Sequence, residues 1–196
     1  MGYPVRKYAI DLPQHGVWQD AFTPEEIEKI IFLEKIIVFQ QGLLGTSQKP
    51  DKTTRNSDVA FIAPDEHGAW IFERLAMIIP KVNYDLFMLD IEGIEAVQYT
   101  KYNADEEQFY NWHLDTYKEW RKFNRKISGT LLLSDPDEYE GGELEIIPDG
   151  NPEKSIKFKP EKGHISFFAS NMPHKVHPVT KGTRRSLVFW VEGLRD

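Results

Sequence analysis

The sequence predicts an α+β fold, mainly β, and three observations predict it. After Glu92 the chain breaks into short runs rich in β-branched and aromatic residues, separated by turn-forming pairs. Before Glu92, two amphipathic segments carry helix signals. The length of 196 residues, with 40% hydrophobic content, suits a single domain spanning 1–196 with its own core.

The first helix is announced by Thr23-Pro24-Glu25-Glu26. A threonine can accept from the backbone three residues on, the glutamate there can return the bond, and proline at the first helical position gives up no donor the helix needs. Ile27, Ile30, Ile31 and Leu33 then recur so as to bury one face. A second helix is expected from Ala69 to Ile79, where Trp70, Ile71, Leu75, Ile78 and Ile79 share a face and Pro80 marks the end. Between Gln40 and Ser57, Gly42, Gly45, Ser47, Pro50, Thr53 and Thr54 predict a long loop carrying Lys49, Lys52 and Arg55. A loop of that length is either a lid or a plain surface connection.

The predicted strands are Ile94–Tyr102, Phe109–His113, Ile127–Leu133, Leu144–Ile147, Ser155–Phe158, Ile165–Ala169, Lys175–Val179 and Arg184–Val191. Asp135-Pro136-Asp137, Gly141-Gly142, Asp149-Gly150-Asn151-Pro152 and Lys181-Gly182 supply the turns. Many short strands at this spacing suggest a sandwich or barrel, so a helical support (about 1–90) precedes a strand-rich core (about 92–192).

Composition removes several classes. There is no cysteine, which excludes disulfides, thiolate metal sites and cysteine nucleophiles. No apolar run is long enough to span a bilayer, and Met1 to Lys7 lack the pattern of a signal peptide, so a cytoplasmic protein is expected. The formal net charge of −7 argues against a nucleic-acid partner, which selects for lysine and arginine.

The chemistry-bearing residues lie in the strand region. His113 and Asp115 flank Leu114, and on an extended backbone residues i and i+2 face the same way, so both can aim at one ion. Two imidazoles and a carboxylate bind a metal on one face and leave the other open, as in non-haem iron oxygenases. His174 and His177 compete to be the third ligand. They are three apart and face opposite sides of a regular strand, so the spacing admits either one but not both. His164 and His67 are further candidates, with His164 following a glycine at a predicted strand start where exposure is the alternative; His15, in a polar stretch, reads as surface. Arg184 and Ser186 share a face, and an arginine fork matches a carboxylate through two parallel hydrogen bonds. Arg185 points the other way and reads as solvated.

Three ordered segments carry a resemblance: Tyr110-Asn111-Trp112-His113-Leu114-Asp115; Leu131-Leu132-Leu133-Ser134-Asp135-Pro136 with Tyr139-Glu140-Gly141-Gly142-Glu143-Leu144; and His174-Lys175-Val176-His177-Pro178-Val179, leading through Gly182 and Arg184 to Ser186. The stretch from Val97 to Trp190 resembles the Fe(II)/2-oxoglutarate-dependent oxygenases of the prolyl 4-hydroxylase superfamily, and within it the bacterial and phage PKHD-type hydroxylases. The resemblance implies a double-stranded β-helix (jelly-roll, cupin-like) core with supporting N-terminal helices. It makes His174, which opens the family's H-x-V-x-P-V run, the third ligand beside His113 and Asp115. It assigns Arg184 to the distal carboxylate of 2-oxoglutarate and brings Tyr102, with Ser186, to the same pocket. The implied requirements are Fe(II), 2-oxoglutarate and O2, with ascorbate as an optional reductant. The implied setting is a bacterial cell or its phage, with the oligomeric state open and a monomer admitted.

The implied reaction is hydroxylation of an unactivated C–H bond, with a prolyl residue in a peptide or protein as the favoured substrate and a free amino acid or other small molecule as the alternative. Related halogenases lack the carboxylate ligand, which Asp115 supplies here. Related nucleic-acid demethylases carry a second arginine where this chain has Trp190. A non-enzymatic metal-binding β-barrel is the reading from a different class. The chain departs from the family's pattern in the acidic loop Asn103 to Gln108 and at Leu132 and Ser134.

Overall fold

A computed structural model describes residues 12–43, 51–117 and 121–195 of the chain. The first strand, β1 (His15–Trp18), leads into α1 (Pro24–Phe32), whose start follows the capping signal. Thr23 Oγ1 accepts from the Glu26 backbone at 3.2 Å, and Glu26 returns the bond to Thr23 N at 2.8 Å. Ile27 and Ile30 on its inner face are fully buried.

The expected loop is partly strand. Gln40–Gln41 forms β2, Arg55–Asn56 forms β3 and Asp58–Ile62 forms β4. Asp51 shapes the turn into β3, accepting from Thr53 N at 3.0 Å and from the Thr54 hydroxyl at 2.9 Å. The lid reading falls on residues 44–50, which lie outside the described residues.

The second helix, α2 (Ala69–Leu86), runs through Pro80 rather than stopping at it. Proline there removes one donor from the ladder. Pro80 and Ala76, the residue whose carbonyl loses that donor, are both exposed, so water can take the bond. Beyond them Val82 is buried in the core and keeps the helix on its track. Asn83 closes the helix end through paired side-chain bonds with Leu89, at 2.9 and 3.0 Å.

The remaining strands are β5 (Gly93–Asn103), β6 (Phe109–His113), β7 (Phe123–Leu132), β8 (Tyr139–Gly141), β9 (Leu144–Ile146), β10 (Ile156–Lys157), β11 (Ile165–Ala169), β12 (His174–Val176) and β13 (Val179–Leu194). All pair antiparallel, in two sheets. The major sheet has the order β1-β11-β7-β13-β5-β4-β2, with β8 also on β13; the minor sheet has the order β10-β9-β12-β6-β3. Side chains of both sheets line one cavity between them, the arrangement of a double-stranded β-helix.

Alternation along the major sheet separates two chemistries. One face is apolar: Val97 and Tyr99, Ile127 and Leu131, Ile165 and Phe167, and Leu187, Phe189 and Val191 form a core with Ile71 and Leu75 of α2 and the buried face of α1. Gly129 is needed there, because a Cβ at that position would lie 2.2 Å from the Phe189 ring. Glu34, just after α1, fastens the helical layer to the sheet. Its carboxylate accepts from Arg185 Nε at 2.8 Å and Lys101 Nζ at 3.0 Å. Arg185 is therefore an ion-paired tie and not a solvated residue, since the helical layer covers the face to which alternation assigns it. The opposite face carries Gln98, Thr100, Ser128, Thr130, Ser166 and Ser186, all buried, and looks into the cavity side.

Candidate active site

His113 ends β6 and His174 begins β12, and the two are register partners across the minor sheet. Asp115 follows two residues after His113; its backbone N–H donates to the Ser170 carbonyl at 3.0 Å, which holds the chain as it leaves the strand. One ligand atom from each of His113, Asp115 and His174 lies within 4.8 Å of the other two. His174 Nε2 is 3.3 Å from Asp115 Oδ2, and His113 Nε2 is 3.8 Å from Asp115 Oδ1.

Second contacts fix the orientation of all three side chains. His113 Nδ1 lies 2.7 Å from the Asn111 carbonyl and His174 Nδ1 lies 2.9 Å from the Met172 carbonyl. A carbonyl only accepts, so each Nδ1 carries the proton and each Nε2 presents a lone pair toward the carboxylate, a tautomer assigned from the hydrogen-bond network. Ser128 donates to Asp115 Oδ2 at 2.7 Å and is itself 2.9 Å from the Ser170 hydroxyl. Tyr110 stacks on His113 with ring centroids 3.4 Å apart. A bulge in β6 makes that stacking possible: Tyr110 and His113 are three apart, yet they pair with Val176 and His174, which are two apart.

Burial, followed by the neighbouring His174, lowers the His113 pKa to about 3, so the ring is neutral and able to ligate at physiological pH. Burial works to raise that of Asp115, but the adjacent His174 and His113 and the hydrogen bond from Ser128 outweigh it and keep the carboxylate ionised. Two imidazole Nε2 atoms and an ionised carboxylate, facing an open cavity of about 250 Å³, fit a divalent first-row metal with free coordination positions.

Tyr102 and Arg184 are register partners on β5 and β13, and Ser186 follows on the same face. All three are buried. Arg184 Nη1 donates to the Ser186 hydroxyl at 3.2 Å, and its guanidinium is 5.9 Å from the centre of the Tyr102 ring. Gly142 gives it room, since a Cβ there would lie 2.8 Å from Arg184 Cδ, and its φ of +67° also suits glycine. Tyr102 borders the main cavity. Arg184 borders a second one, of about 440 Å³, between the Tyr139–Leu144 turn and Phe158–Glu161; Leu144 lines both. Burial raises the Tyr102 pKa, against the pull of Arg55 and Arg184, so its phenol stays protonated.

The other histidines stay outside the triad. His177 bonds Glu145 at 2.6 Å, His67 faces Glu66 at 3.5 Å, His15 contacts the Pro13 carbonyl at 2.6 Å and His164 accepts from Glu161 N at 3.4 Å. Ser134, at one of the departures from the family's pattern, bonds the Thr183 carbonyl and the Arg185 N–H, so it ties two chain segments together.

Several cavity residues escaped the sequence reading. Arg55, taken as a loop residue, is buried against Tyr110 with its guanidinium 4.6 Å from the ring centre. Arg125 holds its guanidinium carbon 3.8 Å from the centre of the Trp190 ring and forks onto Glu95 at 2.7 and 3.1 Å; Tyr117 also donates to Glu95. Trp190 could have been found by continuing the alternation from Arg184 and Ser186. Arg55 and Arg125 sit in segments with no comparable signal.

Residues 97–192 match the profile of the 2OG-Fe(II) oxygenase superfamily. A PKHD-type hydroxylase of Xanthomonas campestris pv. campestris is 44% identical over 68 residues, which are 35% of this chain and 28% of that relative's length. A PKHD-type hydroxylase of Bordetella pertussis is 27% identical over 184 residues, covering 89% of this chain and 76% of the relative. Among solved structures, a prolyl hydroxylase from Trichoplax adhaerens, in complex with a hypoxia inducible factor oxygen degradation domain peptide fragment, superposes with a TM-score of 0.74. It does so at 20% identity over 91% of this chain and 83% of its own, a likeness of fold alone.

Proposed function

We propose, from the premise that this chain belongs to the 2OG-Fe(II) oxygenase superfamily through residues 97–192, that it is a 2-oxoglutarate-dependent hydroxylase of an unactivated C–H bond, acting on a prolyl residue of a peptide or protein. One observation carries this reading: the His113, Asp115 and His174 ligand atoms converge within 4.8 Å, with both free imidazole nitrogens turned to the same carboxylate. Iron(II) bound there with 2-oxoglutarate would supply the oxygen activation, with succinate and carbon dioxide released beside the hydroxylated product.

The chain's own residues do the rest. His113, Asp115 and His174 would hold the metal, and the Ser128 hydroxyl and the two backbone carbonyls behind them keep their lone pairs aimed. Arg184 would bind the distal carboxylate of the cosubstrate. It is buried, its bond to Ser186 orients the fork, and it has no acidic partner among the described residues. Tyr102, beside it and protonated, can donate to the same ligand. Phe168, Val188, Leu144 and Val176 give the cavity an apolar wall that excludes water. The name of the Trichoplax neighbour, with its peptide partner, supports a peptide or protein as substrate.

The test is incubation with iron(II), 2-oxoglutarate and oxygen, with succinate and a mass increase of one oxygen as the two readouts. Succinate coupled to an oxidised proline supports the reading; metal binding with no succinate leaves a metal-binding β-barrel in its place.

A further inference from the structure

Two guanidiniums line the main cavity, and they differ in what neutralises them. Arg125 is matched by Glu95 through two hydrogen bonds. Arg55 is only 7% exposed, yet no carboxylate among the described residues pairs with it. Its Nε donates to the Ser57 hydroxyl at 2.8 Å, its Nη1 to the Leu43 carbonyl at 3.1 Å, and its plane lies against Tyr110. Gly42 completes the cradle, because a Cβ there would lie 2.6 Å from Arg55 Nε. The guanidinium is thus held rigidly by neutral groups. A buried charge without a counter-charge is costly and calls for a partner.

Cosubstrate and metal do not supply that partner. Iron(II), the Asp115 carboxylate, a 2-oxoglutarate dianion and Arg184 together carry no net charge, and Arg125 cancels Glu95. Arg55 remains, and among the described residues Asp115 is the sole acid on the cavity wall. A second unfilled donor belongs to a residue of the same cavity wall: Trp190 Nε1 is buried with no hydrogen-bond partner among the described residues. Both donors need acceptor atoms, and the charged one sets the sign of the ligand.

We propose that Arg55 receives a carboxylate of the primary substrate, so that the molecule oxidised is an acid. This rests on the hydroxylase reading and adds its substrate class. The carboxylate can belong to a free amino acid or to a peptide, at its C-terminus or on an acidic side chain next to the target residue. In each case Arg55 would hold the anion while the carbon to be oxidised faces the metal. The pocket is cationic within a chain of net charge −7, so an anionic ligand is attracted locally despite the overall charge.

The experiment measures equilibrium binding without oxygen, by calorimetry, to protein loaded with Mn(II) and saturated with 2-oxoglutarate, which occupies the cosubstrate's own site. The probes are N-acetyl-L-amino acids and their amides, the proline pair first; each pair differs only in carboxylate against carboxamide. The wild type is expected to bind the acid roughly ten- to hundredfold more tightly, as suits a charge-assisted hydrogen bond. That preference should vanish in Arg55→Gln and persist in part in Arg55→Lys. Free proline, a peptide ending in proline and an end-blocked peptide with aspartate beside proline then locate the carboxylate. Equal binding of acid and amide by the wild type, no binding of any acid, or an unchanged preference in Arg55→Gln overturns the proposal. Should Arg55→Gln not fold, the wild-type pair alone decides. Succinate formation is read separately, so its absence would sink the hydroxylase reading while the acid-over-amide preference stayed measurable.

Discussion

The two faces of β13 place neighbouring arginines in opposite circumstances. Arg185 points to the helical layer and meets Glu34 at 2.8 Å, among Leu187, Phe189 and Val191. Arg184 points inward, with Ser186, Val188 and Trp190, and has a hydroxyl and an aromatic ring for company but no acid among the described residues. The contrast teaches that burial alone does not mark a binding residue. A guanidinium already neutralised by the fold contributes to stability; one left without its counter-ion is poised to take that counter-ion from a ligand.

The sharpest way to break this contrast lies at the inner face, at the candidate metal site. His174→Ala should abolish metal binding and turnover, whereas His177→Ala, which removes only a partner of Glu145, should keep much of both. Titration with iron under anaerobic conditions would show it, and equal loss in the two variants would remove His174 from the ligand set. Next in size, Arg184→Ala should weaken 2-oxoglutarate binding by about 2–5 kcal/mol, on the order of a hundredfold or more, while metal affinity is spared. An unchanged cosubstrate requirement would show that the inner arginine binds nothing.

On the outer face the expected losses are of stability, not of ligand affinity. Gly129→Ala drives a methyl group into the Phe189 ring and should cost about 1–3 kcal/mol in urea unfolding. Glu34→Gln is smaller, about 1 kcal/mol, because the pairs with Arg185 and Lys101 remain partly open to solvent. Its sign with pH follows from the direction of the shift. Burial works to raise the Glu34 pKa, but Arg185 and Lys101 prevail and bring it below the ordinary value of 4.5. The stabilisation is therefore complete above that value and lost as pH falls through the folded pKa, so wild type and Glu34→Gln should converge in acid. A difference in stability that widened there would refute the tie.

The sequence disclosed what depends on local order. The capping box at Thr23, the period of two that unites His113 with Asp115 and Arg184 with Ser186, and the turns at Gly142 and Gly150 are rules of near neighbours, and the fold obeys them; Lys181-Gly182, read as a turn, instead runs inside β13, paired with β8. Reading failed where the deciding contact is distant or where solvent intervenes. Glu34 and Arg185 are 151 positions apart, and alternation says which way Arg185 points without saying what covers it. Pro80 reads as a stop, but its exposed position lets water repair the ladder. At two residues each, β2 and β3 are too short to show a period, so Arg55 was hidden among glycine, serine, threonine and lysine.

The bulge in β6 has a consequence for how the chain can vary. It acts as a phase slip of one residue between Tyr110 and His113, letting a tyrosine and a candidate ligand at odd spacing share a face. Deleting Asn111 would restore even counting and keep both on one face without the bulge, but it would also remove the carbonyl that accepts from His113 Nδ1. Length in this short segment is therefore constrained in one direction: substitutions at the exposed Trp112 can be absorbed, whereas a single-residue insertion beside the bulge would set His113 and the ring that steadies it on opposite faces.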